Sequence, residues 1–564
     1  MRILSRAVAI GLCGLFIASL FTGSASAQNY DAWQGAEPME EFSARTYSIN
    51  PALEFNSFGR GIAAWGWVFN NVIHVRASYY DPQDGWSAPV VLDRDGAISM
   101  PSVAIDDQGN AVVVWTGAVG GQQELVGCAR KAGGTWTAPV ALTDRPYAEI
   151  TGTTAVVRNV TQFIVVCSAR EGNDTSLLLT NYRSNAGFDP QPSVLFNMTD
   201  RLVSLTAASN GRGEVWVVWC QSAEAGYLIK GVHYSGANWS PAPISIAGPG
   251  TTDPLIGVDA AGRLTVVYER LDPERVIIET RSPDRGWWPE AREIVNHTGR
   301  VLQAQAAMSA SGNFTTAVLV QEGAVEHLMV AEKNGTGWAL KTPVTGAAGS
   351  ISTFELATSA LGDIMIVYQA PPSDSTGPFR LFHTLKEVGG NWTDAEEIAP
   401  VGGGSPLPYI GLASSRADYM LLFSRTDIGN TGESRMWVDQ YLGTVRGGAL
   451  LTIDSYGING TVSTPYIEIA GTVEPYSFVT VGDKGTTADQ WGHFSVFVPL
   501  ERGKNTIFVE TVDSLGRRSG FPVHINYDPS AGQGNALLFL GLSGAALAGI
   551  AAVMYYFFRP GKER

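Results

Sequence analysis

The stretch Ala104-Ile105-Asp106-Asp107-Gln108-Gly109-Asn110-Ala111-Val112-Val113-Val114-Trp115 decides the fold. A short apolar run, a polar turn ending in glycine and a second apolar run read as a β-hairpin, because glycine enters the turn conformation without steric cost. The same step of six residues from turn glycine to core residue recurs from Gly59 to Trp65, Gly213 to Trp219, Gly262 to Tyr268 and Gly362 to Tyr368. With Cys167, Val320 and Phe423 added, an apolar strand with such a core residue occurs eight times.

A second marker runs in phase with the first. Trp33, Trp86, Trp136, Phe188, Trp239, Trp287, Trp338 and Trp392 are separated by 53, 50, 52, 51, 48, 51 and 54 residues. Small or proline residues follow most of them, as in Trp86-Ser87-Ala88-Pro89 and Trp136-Thr137-Ala138-Pro139. Each unit therefore reads as a hairpin, a third strand such as residues 125–130, and a Trp strand, which is one four-stranded blade of a β-propeller. Tryptophan at a fixed place in the unit is the wedge expected between adjacent blades. Trp33 precedes the first hairpin, whereas the last hairpin (residues 406–423) and its third strand (436–442) have no Trp strand behind them. The N-terminal strand is thus expected to complete the last blade, which leaves no open sheet edge. The expected fold class is all-β, with an eight-bladed propeller over residues 28–443, or seven blades if the Phe188 unit is irregular.

Residues 30–442 resemble the sialidase-like, neuraminidase-repeat β-propellers of secreted bacterial and archaeal proteins. The nearest approach to that family's Asp-box is Ser282-Pro283-Asp284-Arg285-Gly286-Trp287-Trp288, which lacks the usual threonine. An Asp-box is a fold-stabilising turn, so the resemblance implies architecture and no activity.

The period stops after Tyr441. Residues 444–528 alternate apolar and polar positions in short runs at 450–453, 466–469, 478–481, 494–498, 506–512 and 523–527, the pattern of a small β-sandwich. Gly471-Thr472-Val473-Glu474-Pro475, Gly492-His493-Phe494 and Gly503-Lys504-Asn505-Thr506-Ile507 resemble bacterial Ig-like domains related to the glucodextranase B domain, which act as spacers or weak binding modules.

The chain ends address the protein. Residues 1–27 read as a signal peptide, with Arg2 and Arg6, an apolar stretch, and Ala25-Ser26-Ala27 before the cleavage point; an uncleaved anchor is the alternative. Residues 529–535 form a stalk, and the uncharged apolar residues 536–558 are long enough for a transmembrane helix. Tyr555 and Tyr556 suit a membrane interface, and Arg559, Lys562 and Arg564 place residues 559–564 in the cytoplasm. Gly541, Ala545 and Gly549 have the small-xxx-small spacing of close helix packing. A processed sorting signal has a similar shape, although no LPxTG-like motif precedes this one. The expected localisation is the cell membrane, single-pass, with an extracellular body.

Charge excludes a general nucleic-acid partner: 38 basic and 53 acidic residues give −15. Without the two ends, 33 basic and 52 acidic residues remain, a net charge near −19. Cys128, Cys167 and Cys220 survive signal cleavage, an odd number set in apolar runs, so buried thiols are expected rather than a disulfide framework. No CxxC or HxH occurs and the seven histidines are dispersed, so no metal site and no cofactor are expected.

Catalytic residues are expected to be none. A sialidase needs an arginine cluster, an acid and a Tyr/Glu nucleophile pair at one mouth of the ring. Arg76, Arg130, Arg183 and Arg281 recur just before the Trp strands, so repeat symmetry accounts for them. The acidic loops 269–274 and 394–397 read as solvated charge, and Asp106-Asp107-Gln108-Gly109 as a turn without the alternation of a calcium loop. Sequons at Asn159, Asn173, Asn197, Asn238, Asn296, Asn313, Asn334, Asn391 and Asn459 are candidate N-glycosylation sites. The expected function is extracellular recognition or cell-envelope interaction through a protein or glycan ligand. The alternatives are a membrane-tethered glycan-processing enzyme, sialidase-like in type, and a purely structural envelope component.

Overall fold

The computed structural model describes residues 32–530 apart from short internal stretches, the longest being 282–291, 372–377, 399–404, 427–432, 444–450 and 454–460. The signal peptide, most of the stalk, the apolar span, the basic tail, the Asp-box-like segment and Asn459 lie outside the described residues. The described residues are all-β, with no helix among them.

Eight antiparallel sheets follow one another along the first part of the chain. Their inner strands are Thr46–Phe55, Ser102–Ile105, Glu149–Asn159, Leu202–Ser209, Thr251–Val258, Arg300–Met308, Thr353–Thr358 and Pro406–Ser415. Each of the first seven inner strands is followed by a hairpin partner, a third strand and one or two edge strands, long in Gly337–Ala347 and shorter elsewhere, and the Phe188 unit forms a sheet of the same order with two bulges in its first hairpin. The eighth sheet takes its edge from the start of the chain: Ala32–Trp33 pairs with Ser434–Leu442, Trp33 opposite Tyr441.

The core is divided in the same way. Separate apolar clusters lie between the first and second sheets around Trp115, between the second and third around Phe163, and so on around to a cluster that joins the eighth to the first through Trp65 and Met436. A closed circle of sheets packed face to face in this manner is a β-propeller. Trp86, Trp136, Phe188, Trp239, Trp338, Trp392 and Trp33 each pack into the cluster between their own sheet and the preceding one, which is the wedge position.

The hairpin turn repeats to the atom. In Asp106–Asn110 the turn residue's side chain accepts from the backbone N–H four residues on, at 2.8 Å, and Gly109 has φ +82°. Asn56, Asn210, Asp259, Ser309 and Ser359 do the same for Arg60, Glu214, Arg263, Asn313 and Asp363. Gly312 is therefore a sixth turn glycine, and the core residue six positions later is Val318, not Val320. An acceptor of one polar atom is all this turn demands, so Asp, Asn and Ser interchange.

The outer edge departs from a simple fourth strand. Trp86, Trp136, Phe188, Trp239 and Trp392 make only one or two ladder pairs before the chain leaves. The next residue then closes a ring on the third strand: Thr393 donates its N–H to Leu385 O, and its hydroxyl accepts the Leu385 N–H at 3.0 Å. Ser87, Thr137, Asp189 and Ser240 repeat this on Tyr79, Ala129, Asn181 and His233. A side-chain oxygen replaces a ladder carbonyl, and in four of the five units a proline follows within two residues (Pro89, Pro139, Pro190 and Pro241), which lacks an N–H and keeps the edge from resuming directly; Thr393 has no such proline behind it. Where alanine follows the aromatic, at Ala339, the edge runs on as Gly337–Ala347, with one bulge opposite Leu328 and Val330.

Beyond the ring, Leu451–Ile453, Tyr466–Val473 and His493–Pro499 form one sheet. Thr461–Val462, Arg518–Tyr527, Gly503–Val512, Phe478–Val481 and Lys484–Thr487 form a second, and the two share a core around Ile469, Val479, Val509 and Ile525.

Candidate functional site

The ring closes on Glu40, buried beside the N-terminal edge. Its carboxylate accepts from the Met436 N–H at 2.9 Å and from the Ser48 hydroxyl, and pairs with Arg76. On the same edge the Gly35 N–H donates to Asp439, whose second oxygen is buried without a partner; burial pushes Asp439 up to about 6.

Three of the four recurring arginines have partners among the described side chains. Arg76 lies over Trp67 at 3.8 Å, Arg130 over Tyr79 at 3.8 Å, and Arg183 pairs with Asp189 beside its own edge aromatic. Arg130, Arg183 and Arg281 sit at equivalent ladder positions, opposite Ala111, Gln162 and Leu264, whereas Arg76 lies four residues earlier than its own equivalent, Tyr80. In the acidic segment 394–397, Glu396 and Glu397 are exposed, and Glu397 is paired with Arg380 at 2.8 Å. Asp106 serves the turn, and burial raises it to about 6 against its Asn110 bonds. Asn173, Asn197, Asn238, Asn313 and Asn391 are exposed and Asn159 half-buried, while Asn296 and Asn334 lie on strands. Cys128, Cys167 and Cys220 are unpaired and buried, and burial pushes Cys128 and Cys167 up to about 12. Among the described residues no three metal-ligating side chains come together and no helix is long and apolar enough to cross a membrane.

Two cavities collect chemistry instead. One, of about 450 Å³, lies where the first and eighth sheets meet the C-terminal sandwich. Phe55, Tyr80 and Phe508 supply aromatic rings, Asp81, Asp418 and Asp483 carboxylates, and Arg60 a guanidinium 3.3 Å from Asp81. Phe55 and Tyr80 stand edge to face at 5.6 Å and are backed by Trp86. Burial, then Asp418 and Asp81, raise the Tyr80 hydroxyl above its ordinary value, so it stays a donor. Phe508 is 48% exposed, an aromatic face left open.

The other cavity, of about 400 Å³, lies among the inner strands of the first, second, seventh and eighth sheets, and Glu54 and Glu355 line it. Burial pushes Glu54 up to about 8 and Glu355 to about 7, the latter despite the Gln305 amide donating at 2.9 Å. The sequence does carry a signal for Glu54. Two residues before the turn residue, the corresponding positions are Ala104, Ala208, Gly257, Ala307 and Ala357, so a glutamate in that layer is an exception.

Fold and cavities together define a β-propeller carrying a sandwich at its C-terminal side. No family model matches the sequence, and no curated protein matches it. Among solved structures, the chain is similar to the WD40 domain of SCAP from fission yeast (11% identity, 73% of this chain, 98% of that one, TM-score 0.44). It is also similar to a leech intramolecular trans-sialidase (9%, 73% and 94%, TM-score 0.32) and to a Penicillium chrysogenum α-L-arabinanase (12%, 51% and 92%, TM-score 0.33). At such identities no activity carries over from them.

Proposed function

We propose that this is a membrane-anchored extracellular recognition protein: a cleaved signal, an eight-bladed ring closed by its N-terminal strand, an Ig-like spacer, a stalk, one membrane-spanning helix and a short cytoplasmic tail. The ligand is a neutral glycan held in the cleft between ring and sandwich. The observation that carries this reading is the composition of that cleft, three aromatic rings beside three carboxylates and one guanidinium already committed to Asp81. Aromatic faces stack on the apolar faces of sugars, and carboxylates accept from their hydroxyls. Three carboxylates disfavour an acidic sugar, so sialosides are poor ligands.

The reading is tested with the ectodomain on an array of neutral and sialylated glycans. Neutral glycans bind, and Phe508→Ala and Asp483→Asn each weaken binding about tenfold, the loss of roughly 1.4 kcal/mol. Preference for sialosides, or binding indifferent to both substitutions, overturns the site. Turnover of fluorogenic glycosides that survives repurification would instead establish the glycan-processing alternative.

A further inference from the structure

We propose that the three-stranded sheet of the sandwich seats its outer face, through Tyr466 and Phe497, on the surface of a zwitterionic lipid bilayer. The inference rests on the anchored reading above and adds a contact to it: the sandwich stands on the membrane instead of hanging free of it.

Three observations carry it. First, two large rings face outward from this sheet. Along Tyr466–Val473 and His493–Pro499 the residues alternate, with Ile467, Ile469, Phe494, Val496 and Val498 buried in the shared core. Of the outward positions, Glu468, His493 and Ser495 are polar, but Tyr466 is 55% and Phe497 56% exposed, edge to face at 6.5 Å. Second, the ring lies on the other side of the sandwich. Phe508 and the turn Gly482-Asp483, which belong to the second sheet, line the cleft with Arg60 and Tyr80, so the first sheet's outer face points away from the ring.

Third, the course of the chain brings lipid to this place. The chain enters the sandwich at Leu451, opposite Val473, and leaves at Asp528, whose N–H donates to Val462 O at 2.9 Å. The Leu500 N–H donates to Pro465 O and Gly503 pairs with Tyr527, so the turn before Tyr466, the turn after Leu500 and the exit of the chain share one end. Only residues 529–535 separate Asp528 from the uncharged apolar stretch 536–558, a reach of about 25 Å when fully extended. Tyr466 is thereby held within a short tether of the hydrocarbon. Aromatic rings exposed at that distance suit the headgroup layer, where the polar tip of a tyrosine stays wet and the ring enters the acyl boundary. Arg502 and Lys504, exposed at the same end, suit lipid phosphate, while Glu468 and Asp528 already accept from the Ser495 and Ser530 hydroxyls. Glu501 keeps a negative charge on that turn, and the acidic ectodomain as a whole is repelled by anionic lipid, so the surface it fits is zwitterionic.

The experiment uses the full chain reconstituted in phosphatidylcholine vesicles, with a nitroxide on Ser463→Cys, in the exposed turn before Tyr466, or on Gln122→Cys, exposed on the ring. Cys128, Cys167 and Cys220 are buried and take no label. Power saturation reads the access of each label to oxygen, which concentrates in lipid, and to a water-soluble nickel chelate. The ratio of oxygen to nickel access is expected to be about threefold higher at Ser463 than at Gln122, and to fall to the Gln122 value in Tyr466→Ser/Phe497→Ser. Both rings are exposed, so the double variant folds, as circular dichroism will verify. Equal ratios at the two sites, a Ser463 ratio indifferent to loss of the rings, or a Ser463 label shielded from both reagents, which reports a protein contact, overturns the proposal. Extraction with alkaline carbonate separates this failure from that of the anchored reading. A chain that stays in the vesicles with a water-exposed Ser463 label refutes the contact alone, and a chain released by carbonate refutes both.

Discussion

Neutralising Asp439 should flatten the acid-range stability of the ring at its seam. The side chain is 2% exposed, one oxygen accepts the Gly35 N–H at 3.0 Å, and the other has no partner. Burial outweighs the backbone donors Gly35, Gln440 and Gln34 and raises the carboxyl from 3.8 to about 6. A folded-state value above the unfolded one means that the native protein binds the proton more tightly, so the stabilising contribution is complete below about pH 4. It is lost as pH rises through 6 and stays absent above that. At about 1.4 kcal/mol per unit the loss comes to about 3 kcal/mol. For a ring of roughly 400 residues this corresponds to about 3–4 °C in melting temperature. An asparagine at this position would keep an acceptor for the Gly35 N–H and carry no charge. Differential scanning calorimetry of the parent and Asp439→Asn at pH 4.5 and pH 7.5 should show the gap between them changing by a few degrees in favour of the variant at the higher pH. Parallel melting curves across that range would refute the account of the seam.

Further perturbations address the repeats and the thiols. Thr393→Val removes the hydroxyl that accepts the Leu385 N–H, and should cost about 1–2 kcal/mol in urea unfolding, the penalty of one orphaned buried donor. Gly152→Ala combines φ +64° with a Cβ 2.4 Å from Leu205 Cβ, whereas Gly172→Ala has φ +61° and open space. The first should lower stability by several kcal/mol and the second by about 1 kcal/mol, compared by thermal melts. A thiol reagent should find Cys128, Cys167 and Cys220 silent in the native protein and all three reactive in guanidinium, as counted by absorbance.

The ring is legible in the sequence because its markers answer to steric demands that few residues meet. Gly109 must adopt φ +82°, and Trp136 must fill a wedge between two sheets. Markers with looser demands are easily misplaced. Val320 stands in for Val318 because any β-branched residue fits that buried strand. Arg76 groups with Arg130 in the sequence because spacing alone does not fix ladder position. The hydroxyls after the aromatics look like filler, since serine, threonine and aspartate share only one acceptor atom in that role. The cleft is not legible at all, since it joins Phe55 and Tyr80 to Asp418 and to Phe508 across three widely separated stretches of chain.

A repeat protein offers its own internal control for what packing requires. Positions equivalent under the ring's symmetry face nearly the same neighbours, so the residue type that recurs is the one the fold selects. Alanine or glycine two residues before the turn is such a choice, because the inner strands crowd together there. Glu54 stands against that selection and gains no hydrogen bond in return, so stability does not account for it. Glu355 likewise forgoes the bond to the next sheet that Ser102 and Gln305 make from the same place. Two independent departures on nearby inner strands, facing one cavity, are hard to attribute to drift around a tolerant position. Glu54 is thus without a hydrogen bond and Glu355 keeps only the one from Gln305, so neither residue is the choice that the packing of equivalent positions selects.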